Sequence, residues 1–315
     1  MKHIVSISIG SSKRNHKVSM DINNEKIIIE RIGTDGDIQM AINLIRELDG
    51  KVDAFGMGGI DVYLNAGKAR YRIKDALPIM EAAKVTPMVD GSGLKMSLEK
   101  DIPSFINDNV EGIKGSNVFI MPGIDRYGMA EGFQDMGCEL VLGDLMVALG
   151  INIPIKSLKM LDRIASIIAP VACRLPFEML YPTGKEQNNG TNRTGKIDKF
   201  FYEADIIAGD FHYIRQYMPG GMEGKMVVTN TVTKEDIEWL RKCGIRILVT
   251  STPNLEGRSF GTNVIEAMLV ALIGKDIAEI TAEDYLRVLK EINFKPRVEH
   301  LENEEKKQRI YSSGS

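Results

Sequence analysis

NVFIMPGIDRYGMAEGFQDMGCELVLGD, residues 117–144, reads as strand, glycine turn, helix, strand and acidic residue. NVFIMPG (117–123) is a run of β-branched and aromatic residues closed by Pro122 and Gly123. Apolar residues then recur at helical spacing over 125–136, and CELVLGD (138–144) is a second short strand. Two apolar strands around one helix predict the βαβ unit of a parallel sheet. Gly123 and Asp144 stand 21 residues apart, near the roughly 20 at which a dinucleotide-binding unit offers an acid to the adenosine ribose. The turn reads PGIDRYGMAEG rather than GxGxxG. A phosphate can still rest on helix N-terminal amides without that fingerprint. The same layout also serves βαβ units that hold no nucleotide.

The rhythm continues downstream. ADIIAGD (204–210), KMVVTNTV (225–232) and RILVTST (246–252) read as strands separated by short helices. Thr233 with Asp236, and Thr281 with Asp284, have capping-box spacing. An apolar helical insert is expected over 145–182, and a polar mobile loop over 183–196. Upstream, HIVSISI (3–9), HKVSMDI (16–22) and EKIIIERI (25–32) predict a meander of three antiparallel strands. A helix from Ile38 to Leu48, a strand at 52–59 and a hairpin around Asn65-Ala66-Gly67 follow. A helix near 74–84 and TPMVDGSG (86–93), a strand running into a helix, complete this part. The expected fold class is α/β. An N-terminal mixed α/β domain (1–112) precedes a Rossmann-like parallel-sheet domain (113–275), with a C-terminal helix and tail (276–315).

Composition excludes several classes. The chain has 315 residues, 40 Lys+Arg against 43 Asp+Glu, and a net charge of −3. No basic excess points to nucleic acid or an anionic membrane. Apolar residues at 43 % and charged at 26 % are globular averages. Cys138, Cys173 and Cys243 are far apart, and only four histidines occur, so neither a disulfide framework nor a metal site is expected. The apolar stretch opening MKHIVSISIGSSKRNHK is too short for a secretory signal, so a cytoplasmic protein is expected. The apolar run 164–181 holds Pro170, Arg174, Pro176 and Glu178. It therefore reads as a buried helix, a lid or an interface in a homo-oligomer rather than a membrane span.

In an open parallel sheet, ligands bind beyond the carboxyl ends of the strands. Gly123, Asp125, Asp144, Thr229, Asn230 and Thr252, with Pro253 beside it, stand there and are the cofactor-binding candidates. Asp144 would favour NAD, because a carboxylate repels a 2′-phosphate, while Arg126 favours NADP. The loop TSTPNLEGRSFGTN (250–263) adds Arg258 and Ser259 before a helix, a set suited to an anionic or sugar-like group. His212, after Asp210, can titrate near neutrality, and Arg215 three residues on can hold a carboxylate. Asp90 and Lys95, in DGSGLK, are the acid/base candidates of the first domain. Each of these residues also has an ordinary reading as a turn, cap or solvated surface group.

The two-part layout and the late strand ending in Thr250-Ser251-Thr252-Pro253 resemble the shikimate/quinate dehydrogenase family. There a comparable strand ends in an Asn-Ala-Thr-Pro-like turn near the nicotinamide. The whole chain is also similar to short clostridial-type proteins labelled quinate 5-dehydrogenase-like. The resemblance implies an NAD- or NADP-dependent oxidoreductase acting on a small polyhydroxylated acid, with a lysine–aspartate pair at the reacting hydroxyl. The family's GAGGxxxA loop is absent here. Two other readings stand beside it. The opening order of elements, with Gly10-Ser11-Ser12-Lys13 between two strands, is that of the ribonuclease-H-like domains of phosphotransferases. A non-catalytic small-ligand sensor would use the same cleft.

Overall fold

The computed structural model describes residues 1–66, 69–174, 195, 197–252, 254–255 and 258–301, with backbone alone at 65, 66, 254, 255, 258 and 259. The first part contains β1 (Lys2–Ser8), β2 (His16–Ile22), β3 (Glu25–Gly33), α1 (Ile38–Leu48), β4 (Ala54–Gly58), β5 (Tyr63–Ala66) and β6 (Ala69–Arg72). It continues through α2 (Leu77–Met80), β7 (Met88–Val89), α3 (Ser92–Met96) and α4 (Leu98–Asn109). Then follow β8 (Asn117–Met121), α5 (Tyr127–Asp135), β9 (Glu139–Leu142), α6 (Asp144–Leu149) and α7 (Leu158–Ala172). The remaining elements begin with α8 (Asp198–Glu203), β10 (Ile206–Gly209), α9 (Phe211–Tyr217), β11 (Met226–Thr229), α10 (Lys234–Lys242) and β12 (Ile247–Thr250). They end with β13 (Asn254–Leu255), β14 (Arg258–Ser259), α11 (Thr262–Ile273), α12 (Ala282–Glu291) and β15 (Arg297–His300).

The fold is α/β, built on two sheets. The first has the order β2-β3-β1-β4-β7, and the second β15-β12-β11-β10-β8-β9. In the second sheet all pairs are parallel except β12 with β15. Numbered from β8, its parallel strands run 2-1-3-4-5, the flavodoxin-like order, whose switch point lies between β8 and β10. The strands β10, β11 and β12 are buried at every residue, as a sheet covered by helices on both faces requires. Val118 and Ile120 face one apolar cluster, and Phe119 and Met121 the other.

The meander expected at the start is corrected. β2 and β3 form an antiparallel hairpin, but β1 pairs parallel with β3 and with β4. β1 is buried over its last five residues, the mark of a central strand. Since β1 and β2 do not pair, Gly10–Lys13 is not a hairpin tip, and the phosphotransferase reading loses the element that carried it. The helix expected near 74–84 is only a 3₁₀ turn and α2. The strand β15 was not expected from the sequence.

The chain crosses between the sheets more than once. The helices α3 and α4 lead from the first sheet to the second. α11, which follows β12, packs on β4 and β1 of the first sheet, although its sequence position suggested the second domain. The chain then returns to β15. The helix α7 joins both cores: Leu158 and Leu161 lie in the second-sheet cluster, Ala169 and Cys173 in a first-sheet cluster. Its outer face leaves Ile167 and Val171 exposed. The expected loop 183–196 lies almost wholly outside the described residues. Among the described residues, no helix is long and apolar enough to cross a membrane.

Candidate functional site

The carboxyl ends of β4, β8, β10, β11 and β12 carry the polar residues of one buried network. Lys95, on α3, reaches from the first sheet to both sides. Its Nζ donates to Asp61 Oδ1 at 2.9 Å and to Asp125 Oδ1 at 2.6 Å. Asp61 follows β4, and Asp125 follows β8. Beside Asp125, Arg126 donates from Nη1 to Glu99 Oε1 at 2.7 Å and from Nη2 to Asp210 Oδ2 at 2.6 Å, with Nε 3.1 Å from Asp125 Oδ2. Asp210 also accepts from Asn230 Nδ2 at 2.9 Å. The Arg126–Asp210 pair therefore bridges the switch point of the second sheet.

These groups are largely dry. The side chains of Arg126 and Glu99 are 3 % and 0 % exposed, Lys95 10 %, and Asp61 and Asp125 15 % each. Burial alone would lower the Lys95 ammonium, but Asp125 and Asp61 reverse this and hold it above its ordinary range. Burial pushes the Asp61 carboxyl up to about 7, with the charges of Asp125 and Asp90 adding and Lys95 opposing. Burial also works against Asp125, but Lys95 and Arg126 outweigh it and hold that carboxyl below the usual range. Burial raises Glu99 against the pull of Arg126. One carboxyl of the Asp61/Asp125 pair thus keeps its proton more readily than the other.

The tight seat of α3 comes from glycines on α5. A Cβ on Gly128 would stand 2.2 Å from the Lys95 carbonyl oxygen, and one on Gly132 2.2 Å from that of Lys100. Only glycine lets α5 approach α3 and α4 this closely.

A small cleft opens beside Lys95 and Asp125, lined also by Tyr63, Leu64, Met96, Ile124 and Tyr127, and its enclosed part has room for about one water-sized group such as a hydroxyl. Asp162, on α7, accepts from the Tyr127 hydroxyl at 3.2 Å. Among the described residues no group of three or more His, Cys, Asp or Glu could hold a metal.

The sequence candidates separate into those at the cleft and those elsewhere. Lys95 and Asp125 line it. Asp90 does not pair with Lys95: its carboxylate accepts from the amides of Val62, Tyr63 and Ser92, fixing the starts of β5 and α3. Asp144 takes a different role from the one expected. It accepts from the Gly123 amide at 2.9 Å and the Ile124 amide at 2.7 Å. The chain's own carboxylate thus occupies the two amides expected to meet a pyrophosphate. Burial raises Asp144 to about 6 against those two hydrogen bonds.

Thr229 Oγ1 donates to the Gly209 carbonyl, and Thr252 Oγ1 to that of Asn230, so both tie neighbouring strand ends together. Asn230 braces Asp210 and accepts from the Phe211 amide. His212 does not line the cleft; burial lowers its imidazole. Arg215 is exposed and lies over the Trp239 ring at 4.0 Å, so the expected carboxylate clamp is a surface stacking contact. Pro253 and the side chains of Arg258 and Ser259 lie outside the described residues.

Glu99 is the functional-looking residue that carries the weakest signal in the sequence. It sits in an amphipathic helix where one more acid attracts no notice. Its signal is spatial, an arginine 27 positions away in the sequence.

Residues 93–301 match the family model described as a domain of unknown function (DUF8754), well over half of the chain. The chain belongs to that family. Residues 3–90 match a second model, a domain of unknown function (DUF8753). The junction between the two falls at the turn from β7 into α3. The DUF8754 part supplies Lys95, Glu99, Asp125, Arg126 and Asp210, while Asp61 and Tyr63 come from the other part, so the cleft is made by both. No curated protein matches the chain in sequence.

Among solved structures, GanP, a glucose-galactose binding protein from Geobacillus stearothermophilus, is similar at 13 % identity, over 95 % of this chain and 97 % of that one, with a TM-score of 0.39. L-tryptophan dehydrogenase from Nostoc punctiforme is similar at 10 % identity, over 93 % and 79 %, with a TM-score of 0.37. A galactofuranose binding protein is similar at 13 % identity, over 93 % and 99 %, with a TM-score of 0.33. At these scores none of the likenesses decides anything about this chain.

Proposed function

We propose that the protein binds a small polyhydroxylated acid in the cleft and that Lys95, with Asp61 and Asp125, holds and moves the proton of one ligand hydroxyl. The observation that carries this reading is the Lys95 ammonium clamped between two carboxyl groups at the cleft wall. Their surroundings push the two acids in opposite directions, the pattern that separates an acid from a base in one site. Tyr63, Leu64, Met96, Ile124 and Tyr127 offer apolar surface to the C–H faces of a ring.

NAD or NADP does not fit the Gly123 turn as its residues stand. The Asp144 carboxylate fills the amides meant for pyrophosphate, and its charge would repel the group. No hydride step is therefore part of the proposal. Calorimetric titration of quinate and shikimate, each with and without NAD or NADP, tests it. The expected result is saturable binding without a dinucleotide, weakened about tenfold or more by Asp125→Asn, as for loss of a charge-assisted hydrogen bond. Binding that needs the dinucleotide, or that ignores Asp125→Asn, would overturn the reading.

A further inference from the structure

We infer that Arg70 and Arg72 form the carboxylate clamp of the cleft, so that the ligand enters with its hydroxyls inward and its acid group at the rim. The inference rests on the small-ligand reading above and sets the ligand's orientation within it. Three observations support it.

The first is the charge arrangement of the interior. Two cations, Lys95 and Arg126, stand among four carboxyl groups, Asp61, Asp125, Glu99 and Asp210. Both cations are already paired. Among the described residues, Glu99 Oε2, the Nε–H of Arg126 and, on the α7 side beside Tyr127, Asp162 Oδ1 are buried without a hydrogen-bond partner. Two of these three groups are acceptors, to which hydroxyls donate and a carboxylate does not, and a hydroxyl oxygen can also accept from the Nε–H. An anionic group pushed inward would meet like charges in a dry setting, where repulsion is strongest.

The second observation is the rim. The β5–β6 hairpin pairs Tyr63 with Arg72 and residue 65 with Arg70, which places both arginines on the face of Tyr63. The Arg70 guanidinium lies 3.4 Å from the centre of the Tyr63 ring, and that of Arg72 lies 5.7 Å away. Tyr63 itself lines the cleft. Stacking fixes the plane of a guanidinium and leaves its N–H edge free for a carboxylate.

The third is that neither arginine is committed elsewhere. Both are exposed, and neither makes an ion pair with a carboxylate among the described residues. Arg215, by contrast, is stacked on Trp239 away from the cleft.

The test titrates quinate, shikimate and the methyl ester of each into the wild-type protein and an Arg70→Ala/Arg72→Ala variant. Both side chains are exposed, so the variant is expected to melt with the wild type. The acids are expected to bind wild type about tenfold more tightly than their esters, the scale of one good charge-assisted contact. The variant should erase that difference while leaving ester affinity unchanged. Added salt should narrow the difference in the wild type only. An acid–ester difference that persists in the variant overturns the clamp and leaves the cleft reading standing. Failure of all four compounds to bind wild type overturns the cleft reading and the clamp with it.

Discussion

Replacing Arg126 with methionine removes the cation at the centre of the network while keeping much of its volume. The arginine side chain is 3 % exposed and contacts Glu99, Asp125 and Asp210. Asp125 would keep Lys95, and Asp210 would keep Asn230 and the His212 amide. Among the described residues, Glu99, fully buried, would keep only the Ser251 hydroxyl at 3.4 Å. Breaking a buried pair by removing one partner costs about 3–5 kcal/mol, because an uncompensated charge stays behind. For a chain of this size that corresponds to roughly 10 °C in Tm.

The loss should also depend on pH. Without Arg126 the Glu99 carboxyl rises further, and a raised carboxyl makes the folded state less stable as pH increases. The deficit is therefore larger at pH 8 than at pH 5. Urea denaturation and thermal melting at both values measure it. Lys100→Met is the control, since the Lys100–Glu131 pair is more than one-third exposed on both sides and should be worth under about 1 kcal/mol. An Arg126→Met loss as small as the control's, at both pH values, would refute a dry network.

Three further outcomes follow from the same geometry. Asp61 and Glu266 are raised to about 7, Asp144 to about 6, and Glu99 is raised too, each chiefly by burial. Their contribution is complete below the ordinary carboxyl range and lost as pH climbs through 6 to 7, so Tm should fall between about pH 5 and 8; a rise would contradict the burial of these acids. Gly128→Ala should cost roughly 1–3 kcal/mol by overpacking and weaken hydroxy-acid binding, because the new methyl meets the Lys95 carbonyl at 2.2 Å. Arg215→Ala should change the emission of Trp239, the single tryptophan, and leave ligand affinity untouched; a loss of affinity would return Arg215 to the site.

The parallel strands of the second sheet were legible because each is a short apolar run followed closely by a glycine or polar residue, whereas the antiparallel β15, Arg297–His300, is largely polar. The capping boxes at Thr233 and Thr281 are both present, since those contacts lie within one turn of chain. The pairing of β1 was not legible. Adjacent strands suggest hairpins, and Ser6 and Ser8 disguise a strand that is buried on both faces. Lys95 and Asp125 are readable as candidates, but the sequence points Lys95 to the wrong partner. Asp90 is its neighbour in sequence, while Asp61 and Asp125 reach it only through the packing of both sheets against α3. Asp144 shows the converse limit. Its spacing from Gly123 matched a ribose-binding acid, yet the same spacing lets it fold back onto the turn amides.

A crystal structure of the protein grown with whichever hydroxy acid binds most tightly tests the central claim most directly. The account predicts ligand hydroxyls within hydrogen-bond distance of Asp61, Lys95 or Asp125, with Tyr63 against the ligand's carbon frame. A ligand seated on the Gly123 and Ile124 amides with Asp144 displaced, or bound away from Lys95 altogether, would contradict it.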